Sequence, residues 1–296
     1  MNHTLRRLPS TLKRRMAATL HSWRSRQAIR IMLSSPVPQV TAVARALQDA
    51  RSAYLSEEER RFIECVEMRR RELLASKAEI EVHDFGAGAP GEVRTPEEMR
   101  KGVRSKAPLA KVCAVASKSP AWGAILFRFI RHLRPSSCVE LGTCVGLSAA
   151  YQAGALRFNG QGNLLSLEGS PGVAAVAMET FNLLGLQNAR VSVGPFHETY
   201  IHALESMRPV DFLFNDGHHD HDAVVNYFLQ SLPYLADTAV MVVDDIAWSV
   251  GMKQAWREMI GHPQVVVSVD MRTVGVLVLS GPDVLADRRQ FQVGVA

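Results

Sequence analysis

Two apolar runs in this chain end in carboxylates. Asp211-Phe212-Leu213-Phe214-Asn215-Asp216 leads into Gly217-His218-His219-Asp220-His221-Asp222, and Val242-Val243 leads into Asp244-Asp245. A carboxylate at the end of a buried strand costs several kcal/mol if it stays unpartnered, so a cation or polar ligand is expected beside these acids. Asp216, Asp244 and Asp245 have the oxygen chemistry to hold an octahedral Mg²⁺ while leaving coordination sites for substrate hydroxyls. The competing reading is that Asp216 only orients ligands and one of the paired aspartates caps a helix. His218 and His219 are the natural general bases, since imidazole titrates near neutrality and a neighbouring aspartate can orient it. His221 reads instead as the start of a helix.

A second stretch is equally informative. Cys138-Val139-Glu140-Leu141-Gly142-Thr143-Cys144-Val145-Gly146-Leu147-Ser148 reads as a strand breaking into a glycine turn and then a helix. Such a turn brings backbone and the positive end of a helix close to a ligand. A dinucleotide site wants G-x-G-x-x-G around a pyrophosphate, whereas the spacing here is G-x-x-x-G with an acid two residues before the first glycine. An acid there suits a ligand that carries an ammonium group, and S-adenosylmethionine is one. Glu168 and Gly169 end the next apolar run, and Glu168 stands 26 residues after Gly142, where an acid can accept hydrogen bonds from two ribose hydroxyls.

The run Glu140-Leu141-Gly142-Thr143-Cys144-Val145-Gly146-Leu147-Ser148 resembles motif I of the class I S-adenosylmethionine-dependent methyltransferases, in particular the catechol and sugar O-methyltransferase branch. The resemblance spans about residues 120 to 280. It implies that Glu140, Gly142, Thr143, Cys144, Gly146 and Ser148 hold the methionine end of the cofactor, with Glu168 and Gly169 at the ribose and Phe196 and His197 at the adenine. Asp216 would serve both cofactor and metal, and Asp244-Asp245 resembles the acidic pair of Mg²⁺-using relatives. Cys144 stands where many methyltransferases have a middle glycine; in the catechol-type branch a larger residue is usual. Sugar methyltransferases carry their base two residues after the metal aspartate, here His218, and catechol-type enzymes three residues after it, here His219. The acceptor would be a small-molecule hydroxyl.

These residues need strands and helices in a particular order. From residue 137 onward apolar runs alternate with amphipathic stretches, the signature of βαβ units on a parallel sheet. Strands are expected at 137–142, 163–168, 189–193, 210–215 and 238–244, with helices at 147–158, 171–185, 197–207, 221–236 and 249–260. Two last β-rich runs, 265–270 and 274–279, are too close for a crossover helix and must pair antiparallel. The expectation is an α/β, Rossmann-like, seven-stranded sheet, mostly parallel, with a C-terminal antiparallel β-hairpin and helices on both faces. Upstream, residues 10–33, 38–78 and 96–117 read as helices, with a capping box from Ser56 to Glu59. The resulting division is a basic helical arm over 1–48, a helical lid and extension over 49–119, and the catalytic domain over 120–296. The glycine-rich loop at 83–91 and the segment 96–119 would set substrate choice.

A hydrophobic content of 47% with 21% charge marks an ordinary globular chain. Its four cysteines form no C-x-x-C pair, which suits reduced thiols in a cytoplasmic setting. No apolar run is long enough to span a bilayer, and no secretory signal is expected. The net charge of +5 belongs to the first 48 residues, which hold nine Lys or Arg and no acid and leave −4 for the rest. That arm fits a solvated or partner-packing helix, a transit peptide, or weak contact with an anionic surface. The mildly acidic remainder, without a basic stripe among aromatics, argues against a nucleic-acid partner. A homo-oligomer is left open. The alternatives are an inactive S-adenosylmethionine-binding protein that works through its arm, and a nicotinamide oxidoreductase, disfavoured by the missing G-x-G-x-x-G.

Overall fold

The computed structural model describes residues 10–86, 88, 94–281 and 289–294. In chain order the elements are α1 (Ser10–Leu33), α2 (Pro38–Ser52), α3 (Glu57–Ala75), β1 (Glu79–Asp84), α4 (Pro96–Lys101), β2 (Val103–Pro108), α5 (Leu109–Ala116), α6 (Pro120–Leu133), β3 (Ser137–Leu141), α7 (Leu147–Asn159), β4 (Asn163–Glu168), α8 (Pro171–Leu183), β5 (Ala189–Val193), α9 (Phe196–Met207), β6 (Val210–Asn215), α10 (His221–Ser231), β7 (Leu235–Val243), α11 (Val250–Gly261), β8 (Val265–Asp270), β9 (Gly275–Ser280) and β10 (Arg289–Gln292). Among the described residues no helix is long and apolar enough to cross a membrane.

The main sheet has the order β10-β8-β9-β7-β6-β3-β4-β5. β5, β4, β3, β6 and β7 are parallel, and β9 inserts antiparallel between β7 and β8, as the close spacing of the last two runs requires. The seven expected strands are joined by an eighth, because β10 pairs parallel to β8 at the edge. Residue alternation along the strands explains the layers. Phe212, Phe214, Val240, Val242, Val276 and Val278 enter one core with α2, α6 and α7, while Leu213, Met241, Val243, Leu277 and Leu279 enter the other with α9, α10 and α11. The chain leaves β3 toward β4 and β5, then returns to its other side at β6, so the switch point lies between β3 and β6.

The N-terminal helices are built into the first of these cores. Met32, Val40, Val43 and Leu47 are buried in the same cluster as Phe127, Phe129 and Cys138. Gly294, beyond β10, donates its backbone N–H to the buried Ser25 hydroxyl of α1. Of the basic arm, Arg6 and Arg7 lie outside the described residues.

Three expected helices are corrected. The segment 38–78 is two helices: α2 stops at Ser52, and Ser56 opens α3 with the foreseen capping box, its hydroxyl accepting from Glu59 N at 3.2 Å and the Glu59 carboxylate accepting from Ser56 N at 2.9 Å. The segment 96–117 contains a strand, because β2 pairs antiparallel with β1 over its whole length and this pairing overrides local helical pattern. The helix expected over 221–236 ends at Ser231, since Pro233 lacks the N–H to continue it, and Leu235 already belongs to β7. The loop expected over 83–91 is described only in part, since residues 87 and 89–91 lie outside the described residues.

Candidate functional site

The carboxyl ends of β3, β4 and β6 and the loops that follow them open onto one cavity of about 810 Å³, roofed by the loop after β1, α4, α5 and the segment that joins α5 to α6. Its floor is the turn after β3. Gly142 has φ +95, and a Cβ there would sit 2.6 Å from the Asp216 carbonyl oxygen, so only glycine lets this turn lie against the end of β6. Backbone bonds lock the turn in place: Gly142 N and Thr143 N both donate to Leu167 O, and Asp216 N donates to Leu141 O, each at 3.0 Å. Cys144 takes the left-handed conformation at φ 48 and borders the cavity, with its thiol pushed upward in pKa by burial.

The candidates for cofactor binding divide into two groups. Gly142, Cys144, Glu168, Gly169, Phe196, His197 and Asp216 border the cavity. Glu140, Thr143, Gly146 and Ser148 lie behind the turn. Glu140 is fully buried, with one carboxylate oxygen accepting from Gln152 Nε2 at 2.7 Å and the other from the Ser166 hydroxyl, which also contacts Thr143 Oγ1 at 2.6 Å. Burial pushes the Glu140 carboxyl up to about 7, and the hydrogen bonds only partly oppose it. The acid of the motif thus braces the turn from within the sheet.

Glu168 ends β4 at the cavity. Its two oxygens accept backbone N–H groups from Cys144 and Ser170, each at 2.9 Å, and the Gly169 N–H is a further partner of the carboxylate. Burial raises its carboxyl to about 7 despite these bonds. Phe85 packs on Gly169 from the roof, where a Cβ would meet its ring at 2.6 Å, and Phe196 stands edge-on to Tyr227 at 5.9 Å. This donor set fits a cationic, hydroxyl-bearing ligand with a flat aromatic end: acids at the strand ends, half-buried glycine backbone at Gly142 and Gly169 bordering the cavity, and apolar rings at the side.

The opposite wall holds the catalytic candidates. His219 Nε2 lies 3.2 Å from Asp245 Oδ2 and 3.9 Å from Asp216 Oδ1, with its ring tilted over Trp248 at 5.8 Å. His218 is buried beside Tyr227, its Nδ1 has no hydrogen-bond partner, and burial lowers its pKa. Burial by itself would raise Asp245, but His219 and the charge of Lys118 outweigh it and hold the carboxyl below its ordinary value. Asp216 goes up to about 6 through burial, which Lys118 and His219 only partly offset.

Lys118 is the residue that sequence reading missed. It lies between α5 and α6, outside both carboxylate runs, and its ammonium lies 3.0 Å from Asp216 Oδ1 and in direct contact with Asp244 Oδ2. Asp216, His219 and Asp244 can bring ligand atoms within 4.8 Å of one another, whereas Asp245 turns to His219. The two most buried acids of the expected metal triad therefore already share a cation that the chain supplies.

A parallel sheet in this order, with motif residues on the turn after its central strand and acids on the neighbouring strand ends, has the architecture of a class I methyltransferase. Residues 139–246 match the family model described as a methyltransferase domain. Among solved structures the chain resembles the O-methyltransferase TomG of Streptomyces achromogenes in complex with S-adenosylmethionine (22% identity, 56% of this chain and 82% of that one, TM-score 0.48). Also similar are an O-methyltransferase of Bacillus cereus with S-adenosylhomocysteine (19%, 56% and 84%, 0.47) and an S-adenosylhomocysteine-bound methyltransferase of Podospora anserina (17%, 57% and 81%, 0.49). No curated protein sequence matches the chain.

Proposed function

We propose that the protein transfers a methyl group from S-adenosylmethionine to a hydroxyl of a small molecule. The observation that carries this reading is that one cavity joins the turn after β3 and Glu168 to an imidazole flanked by two carboxylates, His219 between Asp245 and Asp216. The sulfonium of the cofactor supplies an already activated methyl group. Glu168 would accept from the ribose hydroxyls, the backbone at Gly142 and Gly169 would let the ligand approach closely, and Phe196 with His197 would border the adenine. Glu140, Thr143, Gly146 and Ser148 would act by holding the turn in shape.

The protein's remaining task is to align the acceptor and remove its proton. His219 takes the hydroxyl proton at Nδ1 while Nε2 keeps its proton toward Asp245, the acceptor oxygen forms its bond to the methyl carbon, and the carbon–sulfur bond breaks with its electron pair left on sulfur. Asp245 and Asp216 stabilise the imidazolium that results. His218, buried and kept neutral, shapes the wall beside Tyr227. The cavity wall formed by Met99, Val112, Val115 and Trp248 suits an acceptor with an apolar body.

The purified protein should be stabilised against heat by S-adenosylhomocysteine and not by NAD. Equal stabilisation by both, or by neither, would overturn the reading. Homocysteine release in an acceptor screen separates transfer from binding alone, in which the basic N-terminal segment would do the work.

A further inference from the structure

We infer that the Lys118 ammonium takes the place of a divalent cation in this site, and that the protein binds its acceptor through Lys118 without using a metal. The inference deepens the proposed methyl transfer and rests on that reading. Lys118 is brought to the site by two helix ends. Ser117 closes α5 by donating its N–H to Cys113 O at 3.3 Å, and Ser119 caps α6 by accepting from Trp122 N at 3.4 Å. Between them Lys118 reaches down onto Asp216 and Asp244, whose side chains are 8% and 3% exposed while that of Lys118 is 17% exposed. Two carboxylates so deeply placed require a positive partner, and the ammonium meets both.

The same space cannot hold both cations. The ligand atoms of Asp216, His219 and Asp244 lie within 4.8 Å of one another, and the ammonium is already in contact with the two carboxylates of that set. Mg²⁺ would need those carboxylate oxygens at about 2.1 Å, in a near-ideal octahedron. An ammonium has three N–H donors and no acceptor. Two are spent on Asp216 and Asp244, and the third is left for an acceptor oxygen, since Lys118 borders the cavity together with His219. A single positive charge with a donor would then orient the hydroxyl and hold negative charge as its proton leaves for His219.

Lys118 lies outside residues 139–246, so the part of the chain that matches the methyltransferase family model does not contain it. Its charge is contributed by the segment expected to set substrate choice. That placement would couple acceptor recognition to the cation in a way that a metal held only by strand ends does not.

The test is Mn²⁺ binding to the full-length protein, followed by electron paramagnetic resonance and titration calorimetry. Wild-type protein should bind no Mn²⁺ at millimolar concentration. Lys118→Met should gain at least about tenfold in Mn²⁺ affinity, Lys118→Arg should stay metal-free, and adding Asp244→Asn to Lys118→Met should abolish the gain. Tight binding of Mn²⁺ to the wild type overturns the inference without recourse to any variant. It is also overturned if Lys118→Met folds and binds no Mn²⁺, since the lysine would then neutralise two acids without replacing a metal. Stabilisation by S-adenosylhomocysteine, measured on the same samples, reports separately on the methyltransferase reading.

Discussion

The Glu168 carboxylate accepts the backbone N–H of Cys144 at 2.9 Å, so the acid at the end of β4 and the turn after β3 form one unit. Backbone N–H groups engage both oxygens of that carboxylate, which fixes its direction before any ligand arrives. Such preorganisation lowers the cost of binding.

Glu168→Ala should therefore weaken S-adenosylhomocysteine binding by about tenfold or more, since hydrogen bonds to a charged group contribute roughly 1.5–3 kcal/mol. Calorimetry on the folded variant checks this. An unchanged Kd would remove Glu168 from the cofactor site.

Replacing the imidazole tests the base. His219→Ala should lower kcat by about a hundredfold or more with little change in the KM for S-adenosylmethionine, while His218→Ala should cost less than about tenfold. Homocysteine release with an acceptor found by screening provides the readout. The opposite ranking would move the role to His218.

Stability should fall as pH rises from about 4.5 to 7. Burial places the Glu140 carboxyl at about 7 in the fold, against an ordinary value of 4.5. In that window the unfolded chain has released a proton that the folded chain keeps, so stability is greatest below the window and is lost as pH climbs through it. Glu140→Gln should remove this part of the slope, at most about 3 kcal/mol. Tm profiles of the two proteins from pH 5 to 8 decide the matter, and parallel profiles would show that Glu140 does not titrate there. Glu168, raised to a similar value, leaves a residual slope in the variant.

We expect the chain from residue 49 onward not to fold without the helices of the expected arm over 1–48. Val40, Val43 and Leu47 of α2 are buried against the core that also holds Phe127 and Phe129 of α6. Each such side chain contributes about 2 kcal/mol by burial. A chain that begins at residue 49 should lose cooperative thermal unfolding by circular dichroism. A cooperative transition near the Tm of the full chain would show the arm to be separable.

Much of the site was legible because its signals are local. Glu140 to Ser148 announce a strand, a tight turn and a helix through spacing alone, and the unbroken apolar runs of β6, β7 and β9 identify strands buried on both faces. The capping box at Ser56 and Glu59 is likewise read within four positions. The strand β2 was not legible, since its pattern admits a helix and only pairing with β1 decides otherwise. The edge strand β10 is short, mostly exposed and set by its neighbour β8, so its own residues carry no strong period.

By itself, the sequence determined the order of strands and helices from β3 to β9, the glycine turn and the acids that end β4, β6 and β7, because backbone conformation and amphipathic period depend on near neighbours. Tertiary structure alone decided that Glu140 turns inward to Ser166 and Gln152, that His219 and not His218 faces Asp245, and that Lys118 crosses 126 positions of sequence to reach Asp244. Burial and charge pairing act through space, and no spacing rule along the chain records which distant cation will neutralise a buried acid.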